Sequence, residues 1–395
     1  MQEIKKRRIV LASVLKPVTE PRMFDKIGVS LSKRFEVYCI GAPKASNSSD
    51  RSLANPKVLE LPKVRRLSLS RVLIPFQVLR HVIKIKPSVL IICTHELISI
   101  SLVAKLLTGC KVLYDIQENY YRNILYGNSF PGWVRSFVAS YVRFKEVASR
   151  LFTSHYFLAE KGYEQEMTFF GQNRTVLENK VIAPSTAPIN IGVAKKSIND
   201  GCIHLVFTGT LAETTGVFIA IDLAIRLHEL DDRIRLLIIG YSSRSNTVDL
   251  IQSRIQLHSF IELKGGNALV PHEDILYAIQ SSDFGIISYP PNPSTKNSIP
   301  TKLFEYLAYQ LPILLIDNKH WQSICDRYNA AIPFNPDTLS VADLLSSIKG
   351  QQFYKIPPQD VFWSSEEKKL LQTMEMLFPV EIPNHTHTHT PTHNP

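Results

Sequence analysis

The sequence predicts an α/β protein built as two parallel-sheet units in tandem, and three observations predict it. Short β-branched runs alternate with stretches of helical period along almost the whole chain. Such alternation implies crossover connections and sheets covered on both faces. The 395 residues suit two domains at roughly 100–200 residues each. Midway, residues 182–199 are rich in Pro, Ser and Ala and read as a linker.

The elements follow in order. Residues 8–15, RIVLASVL, are expected to form the first strand; a basic patch precedes it, but no small-residue cleavage site follows, so a buried strand explains the run better than a signal peptide. Helical period marks 23–34, and β-branched or apolar runs mark strands at 36–41 and 58–61. A helix at 69–85 leads to a strand at 89–94, a helix at 97–107 to a strand at 111–116, and a last strand falls at 155–158. The second unit repeats the scheme, with strands at 203–208, 235–240, 261–264, 284–288, 312–316 and 331–334. Its helices are 216–230, 272–281, 301–309 and 339–349. The predicted units are 1–180 and 201–350, joined by 181–200 and followed by 351–380. The tail, 381–395, alternates His and Thr and has too few core-forming residues to fold. Two such units place a ligand cleft between them, at the carboxyl ends of the strands.

Composition narrows the function. The chain is 45% hydrophobic and 20% charged, which excludes disordered, collagenous and coiled-coil classes. Its five cysteines are widely spaced with no C-x-x-C pair, so neither a disulfide framework nor a zinc site is expected and a reducing cytoplasm is the simplest home. No uncharged apolar run reaches the ~18 residues that span a bilayer. The net charge of +10 is uneven: residues 1–90 hold 19 Lys and Arg against 6 Asp and Glu, a balance of +13. The first unit is therefore expected to meet something anionic. No zinc-finger, RNP-like or recognition-helix signature points to nucleic acid.

Three groups of residues carry chemistry. In SIPTKLFEYLAYQLP, residues 298–312, Pro300 and Pro312 bracket about three helical turns. At ~100° per residue, Lys302, Glu305, Tyr306 and Tyr309 share a polar face, with Leu303, Phe304, Leu307 and Ala308 on the core side. Free N–H groups at the helix start by Thr301, together with Lys302, suit a phosphate. Glu305 can accept from two ribose hydroxyls; a solvated Lys302–Glu305 pair explains the same residues. In VFTGTLAETTG, Gly209 and Thr210 follow a strand, and Gly240 and Tyr241 end the next. These glycines either let backbone approach a ligand or make tight turns. In the first unit, His95 and Glu96 follow one strand, and Asp115, Gln117 and Glu118 end another. Asp115 and Glu118 are either paired carboxylates for acid–base work or helix caps. Two basic, aromatic stretches, 69–86 and 133–152, either lie on an anionic membrane or pack on the sheet.

The chain resembles retaining glycosyltransferases of the GT-B fold, close to glycosyltransferase family 4, over nearly all of residues 8–378. SIPTKLFEYLAYQLPIL resembles the family's donor-site helix and strand, and FTGTLAETTGVFIAIDLAIRL its donor-domain opening. SVLKPVTEPRMFDKIGVSL, with Arg22 and Lys26, and VLYDIQENYYRNI resemble acceptor-domain segments. VFWSSEEKKLLQTMEML, 361–377, is similar to the closing helix that returns to the first domain. The resemblance implies two Rossmann-like domains facing across a cleft and transfer of a hexose, with retention and without a metal or other cofactor. The donor would be a nucleotide sugar and the acceptor a glycan or lipid-linked hydroxyl, on the inner face of a membrane, in polysaccharide biosynthesis. It implies that Glu305 and Lys302 are catalytic. Gly209, Thr210, Gly240, Tyr241, Pro300, Thr301 and Leu303 would complete the donor site. Arg22, Lys26, His95, Glu96, Asp115, Gln117 and Glu118 would line the acceptor side. The chain departs from the family at Asn297, where many members carry a glutamate, and at Thr210 and Thr215, where many carry Arg and Lys. It departs again at Gln117, where many have His. These departures leave an alternative, a non-catalytic GT-B protein binding a nucleotide sugar or an anionic partner.

Overall fold

The computed structural model describes residues 6–44, 55–64, 68, 70–127, 130–183, 200–293 and 297–378; the expected tail, 381–395, and most of the expected linker lie outside these. The first sheet holds β1 Arg8–Pro17, β2 Glu36–Ala42, β3 Lys57–Glu60, β4 Val89–Ile92, β5 Lys111–Ile116, β6 Thr153–Leu158 and β7 Arg174–Val176. Its order is β3-β2-β1-β4-β5-β6-β7 and every pairing is parallel. The second holds β8 Ile203–Thr210, β9 Ile234–Tyr241, β10 Ile261–Gly266, β11 Phe284–Ile287, β12 Ile313–Ile316 and β13 Ala331–Phe334. Its order is β10-β9-β8-β11-β12-β13, again parallel throughout. Strands such as β4, VLII, and β12, ILLI, are buried along their whole length, as sheets covered on both faces require.

In each sheet the chain reverses its direction of travel beside the first strand, between β1 and β4 and between β8 and β11. Reversals of this kind open a crevice at the carboxyl ends of the strands. Both domains thus present their functional edges where loops follow β1, β4, β5, β8 and β9.

One face of the first sheet packs on the helices Ser70–Ile85 and Ile98–Thr108 through Ile74, Val78, Ile98 and Ala104. The other face packs on the segment 22–32 and on the last helix, Trp363–Leu377. That last helix belongs spatially to the first domain. Trp363 Nε1 donates to Ser30 Oγ at 2.9 Å, the Thr373 and Thr175 hydroxyls meet at 3.0 Å, and Leu370 is fully buried. The buried Glu366 bridges Lys180 at 2.7 Å and Lys369 at 2.9 Å. The two chain crossings between domains lie side by side: Val181 N–H donates to Val361 O at 3.1 Å and Trp363 N–H to Val181 O at 2.7 Å.

The helix expected at 23–34 is wound as a π-helix over Arg22–Gly28, with Lys26 N–H reaching back to Pro21 O, before an α-turn at Val29–Ser32. Helices at Tyr120–Tyr126, Ser245–Ile255 and Lys319–Cys325 and the edge strand β7 add to the expected elements. No helix of the described residues is long and apolar enough to cross a membrane.

Candidate functional site

The floor at the carboxyl edge of the second sheet is made of glycine. Gly209, Gly240 and Gly265 pair across β8, β9 and β10 in register at their carboxyl ends. A Cβ on Gly240 would stand 1.7 Å from Gly209 O, and one on Gly265 2.3 Å from Gly240 O. Gly240→Ala is therefore expected to spread the β8–β9 edge and cost about 2–4 kcal/mol, within the range of severe backbone clashes. Denaturant unfolding checks this; a loss below ~1 kcal/mol would mean that the strands give way without cost.

Above this floor lies Lys302. A Cβ on Gly209, which sits at φ +96°, would meet Lys302 Cε at 2.5 Å, so the lysine stem fills the space the glycine leaves. Its Nζ is buried without a hydrogen-bond partner, 4.7 Å from the Phe207 ring centre and 5.3 Å from that of Tyr289. Buried ammonium groups are normally paired. Burial pushes Lys302 down to about 8, with the Glu305 charge working against the shift. Tyr306 packs its ring where Gly285 has no side chain and meets Thr208 Oγ1 at 3.1 Å. Lys302 and Tyr306, expected on a solvated face, are thus buried, because two glycines of the sheet leave room for them. Leu303 is in the core as expected.

Glu305, one turn on, is partly buried. Burial raises its pKa, while the charges of His272, Lys302 and Lys26 oppose the rise. Lys26 comes from the first domain. Burial and the Arg22 charge push it down to about 8, and its Nζ donates to Asn179 O at 3.2 Å. Lysines from both domains, Lys302 and Lys26, therefore act on a single carboxylate, beside His272. The helix Thr301–Ala308, entered from Pro300, and the helix Val217–Leu230, entered from Gly216, have no side-chain caps, although Leu303 N–H reaches Pro300 O at 2.9 Å and Val217 N–H reaches Ala212 O at 3.5 Å. Thr210 and Tyr241 end β8 and β9 with exposed side chains. The Thr215 hydroxyl is spent on the loop, on the carbonyls of Thr210 and Ala212, each at 2.8 Å.

On the first domain, Arg22 and Asp115 are brought together and buried. The guanidinium Nη2 donates to Asp115 Oδ1 at 2.7 Å, Nε to Oδ2 at 3.0 Å and Nη1 to Leu177 O at 2.7 Å. Gln117 bridges the same carboxylate, at 2.7 Å, and Lys16. Every nitrogen of Arg22 is spent on the fold, which is not the placement of a group waiting for an acceptor. Neither Asp115 nor Glu118 caps the next helix; Asn119 does, accepting from Arg122 N–H at 3.3 Å, while Glu118 accepts from Asn123 at 3.0 Å. His95 and Glu96 form a short turn after β4. Glu96 is ion-paired to Arg71, and the His95 ring sits edge-on to Tyr120 at 4.6 Å. Burial pushes His95 down to about 4, despite Glu96, so it is neutral at physiological pH.

Two carboxylates that the sequence reading passes over join the domains. Glu160 accepts Ile299 N–H at 3.1 Å, and burial pushes it up to about 8. Glu166 accepts from Asn119 and Asn297, each at 2.7 Å, and from Arg122 at 2.5 Å. The segment 297–299 that leads into the Lys302–Glu305 helix is thereby gripped from the first domain. An acidic run after β6, EKGYEQE, is the only trace of this in the sequence.

No family model and no curated protein matches the chain. Solved structures do. Sucrose-phosphate synthase from Thermosynechococcus elongatus superposes with a TM-score of 0.66 at 10% identity, over 94% of this chain and 99% of that one. Anabaena HepE in complex with UDP and glucose gives 0.66 at 12%, over 94% and 100%. The lipopolysaccharide outer core galactosyltransferase WaaB gives 0.56 at 11%, over 93% and 99%. These neighbours are GT-B glycosyltransferases. Their likeness to this chain lies in the fold, which is GT-B: two Rossmann-like parallel-sheet domains facing across a cleft.

Proposed function

We propose that this chain is a glycosyltransferase that moves a hexose from a nucleotide-sugar donor to a hydroxyl acceptor, retaining the anomeric configuration, in the building of a surface glycan. The observation that carries the reading is the buried, unpartnered Lys302 ammonium over the glycine floor, with Glu305 one turn further. The UDP and glucose held by HepE, and WaaB's being a lipopolysaccharide outer core galactosyltransferase, support it as chemistry that this fold houses.

The barrier is departure of a nucleoside diphosphate from an oxocarbenium-like centre. Preorganised positive charge about the leaving group lowers it most. Lys302 and the positive dipole ends of the uncapped helices starting at Val217 and Thr301 supply that charge without a metal ion. The Gly209, Thr210 and Gly240 backbone lets the diphosphate approach; Glu305 accepts from the ribose hydroxyls, with Tyr241 beside the floor. Lys26, His95, Glu96 and Glu118 face the acceptor side. The balance of +13 in residues 1–90 suits an acceptor offered at an anionic surface in the cytoplasm.

Glu305→Ala tests the reading. Loss of a charged acceptor should weaken donor binding by about 1.5–3 kcal/mol, roughly tenfold to a hundredfold, with folding intact because burial already disfavours that charge. Calorimetric titration of UDP- and ADP-sugars into both proteins, beside their melting curves, is the measurement. Equal affinities in two equally folded proteins would remove Glu305 from the site.

A further inference from the structure

The helix Gly132–Ser149 is inside out. Its buried residues are Ala139, Val142, Glu146 and Ser149. Its solvent side carries Trp133, Phe137, Tyr141 and Phe144, and Leu151 continues the stripe; Trp133 is 87% exposed and Phe137 77%. A globular helix normally buries its large apolar side chains and shows its small and polar ones. The four aromatic rings alone offer on the order of 500 Å² to water, given about 150–250 Å² for each such side chain. Contiguous patches on soluble monomers rarely exceed a few hundred Å².

The stripe continues onto two neighbouring helices. Ile98–Thr108 packs against both Ser70–Ile85 and Gly132–Ser149. It exposes Leu102, Leu106 and Leu107, and Ser70–Ile85 exposes Val72, Leu73 and Phe76. Residues 70–86, 98–108 and 132–150 together contain nine Lys and Arg and one carboxylate, Glu146, and that carboxylate is fully buried. Two copies of this face would bring like charges together, whereas an anionic bilayer answers both its charge and its apolar rings.

We propose that this three-helix face is a membrane-docking surface. It lies in the headgroup region of an anionic bilayer with the Trp133, Phe137 and Phe144 rings among the upper acyl chains. Lys145 Nζ donates to His95 O at 3.1 Å, so the face adjoins the carboxyl edge of β4, on the acceptor side of the cleft. Resting on the glycosyltransferase reading only in this last step, the acceptor is an amphiphile whose polar head rises from that bilayer into the cleft.

The test reads membrane binding without donor or acceptor, so it stands apart from activity. The chain has three tryptophans, and Trp321 and Trp363 are buried, so Trp133 reports insertion. Vesicles of phosphatidylethanolamine and phosphatidylglycerol should shift its emission to the blue, and brominated acyl chains should quench it. Phosphatidylcholine vesicles should do neither to the same extent. The double variant F137E/F144E, altered only at exposed positions, should keep its circular dichroism and melting temperature and lose about tenfold or more in vesicle affinity. Unquenched Trp133, or equal vesicle binding by the folded double variant, would overturn the proposal. So would a concentration-dependent dimer that the double variant abolishes, which would give the face to a second copy.

Discussion

Lys302→Met should melt at a higher temperature than the wild type and yet bind nucleoside diphosphate about tenfold to a hundredfold more weakly. The stability gain follows from the site. Lys302 holds an ammonium in a buried place with no hydrogen-bond partner, and a methionine fills a similar volume without a charge to desolvate. The drop from its ordinary 10.5 to about 8 corresponds to roughly 3 kcal/mol of penalty; after the packing of the replaced stem is counted, a gain of about 1–3 kcal/mol is the expected result. The sign of the pH dependence is fixed. The folded group releases its proton at about 8 and the unfolded one at 10.5, so between them the unfolded chain binds more protons. Wild-type stability therefore receives a rising contribution from this group across that window, which Lys302→Met lacks. Diphosphate binding runs the other way. Losing a charge-assisted bond costs about 1.5–3 kcal/mol, and wild-type affinity should fall above pH 8 while that of the variant stays flat. Melting curves from pH 7 to 10 with titration of UDP and ADP measure both. A variant that is less stable and binds as well as the wild type would show that Lys302 is packing material.

Arg22→Ala carries the largest expected loss of stability. It strips a fully buried carboxylate, Asp115, of its only ion-pair partner among the described residues and frees the carbonyl of Leu177. Removing one member of such a pair costs about 3–5 kcal/mol, or on the order of 10 °C in a domain of this size. Replacing both members by apolar residues, Arg22→Met with Asp115→Leu, should recover much of that, because the isolated charge is what destabilises. Chemical denaturation followed by circular dichroism checks both. If Arg22→Ala unfolds like the wild type but fails to bind acceptor, the residue belongs to the cleft.

The sheets were legible because parallel strands buried on both faces leave a local signature: uninterrupted apolar runs such as VLII and ILLI between helical periods. The ends of that signal explain what escaped. β7 has three residues, and the helix Lys319–Cys325 is too short to show a period. The helical wheel rightly put Lys302, Tyr306 and Glu305 on a common side of their helix. It could not show that Gly209 and Gly285, 93 and 21 residues from those partners, had cleared space there. Arg22 with Asp115, and Glu166 with Asn297, join residues 93 and 131 positions apart. Charge and spacing along the chain hold no record of such pairings. Likewise, the basic and aromatic content of 133–152 was visible, but which side the rings take depends on Glu146 and Ser149 being turned to the sheet.

The paired crossings at Val181 and Val361–Trp363 have a mechanical consequence. A lone connecting strand would let the domains twist, slide and part; two strands pinned together behave as a strap hinge. Such a hinge bends readily about one axis and resists torsion. Any opening of the cleft is then expected to follow a single arc, along which Lys26 and Glu305 would part and meet again by one path. The bonds from Glu160 to Ile299 and from Glu166 to Asn297 act as catches on the moving edge.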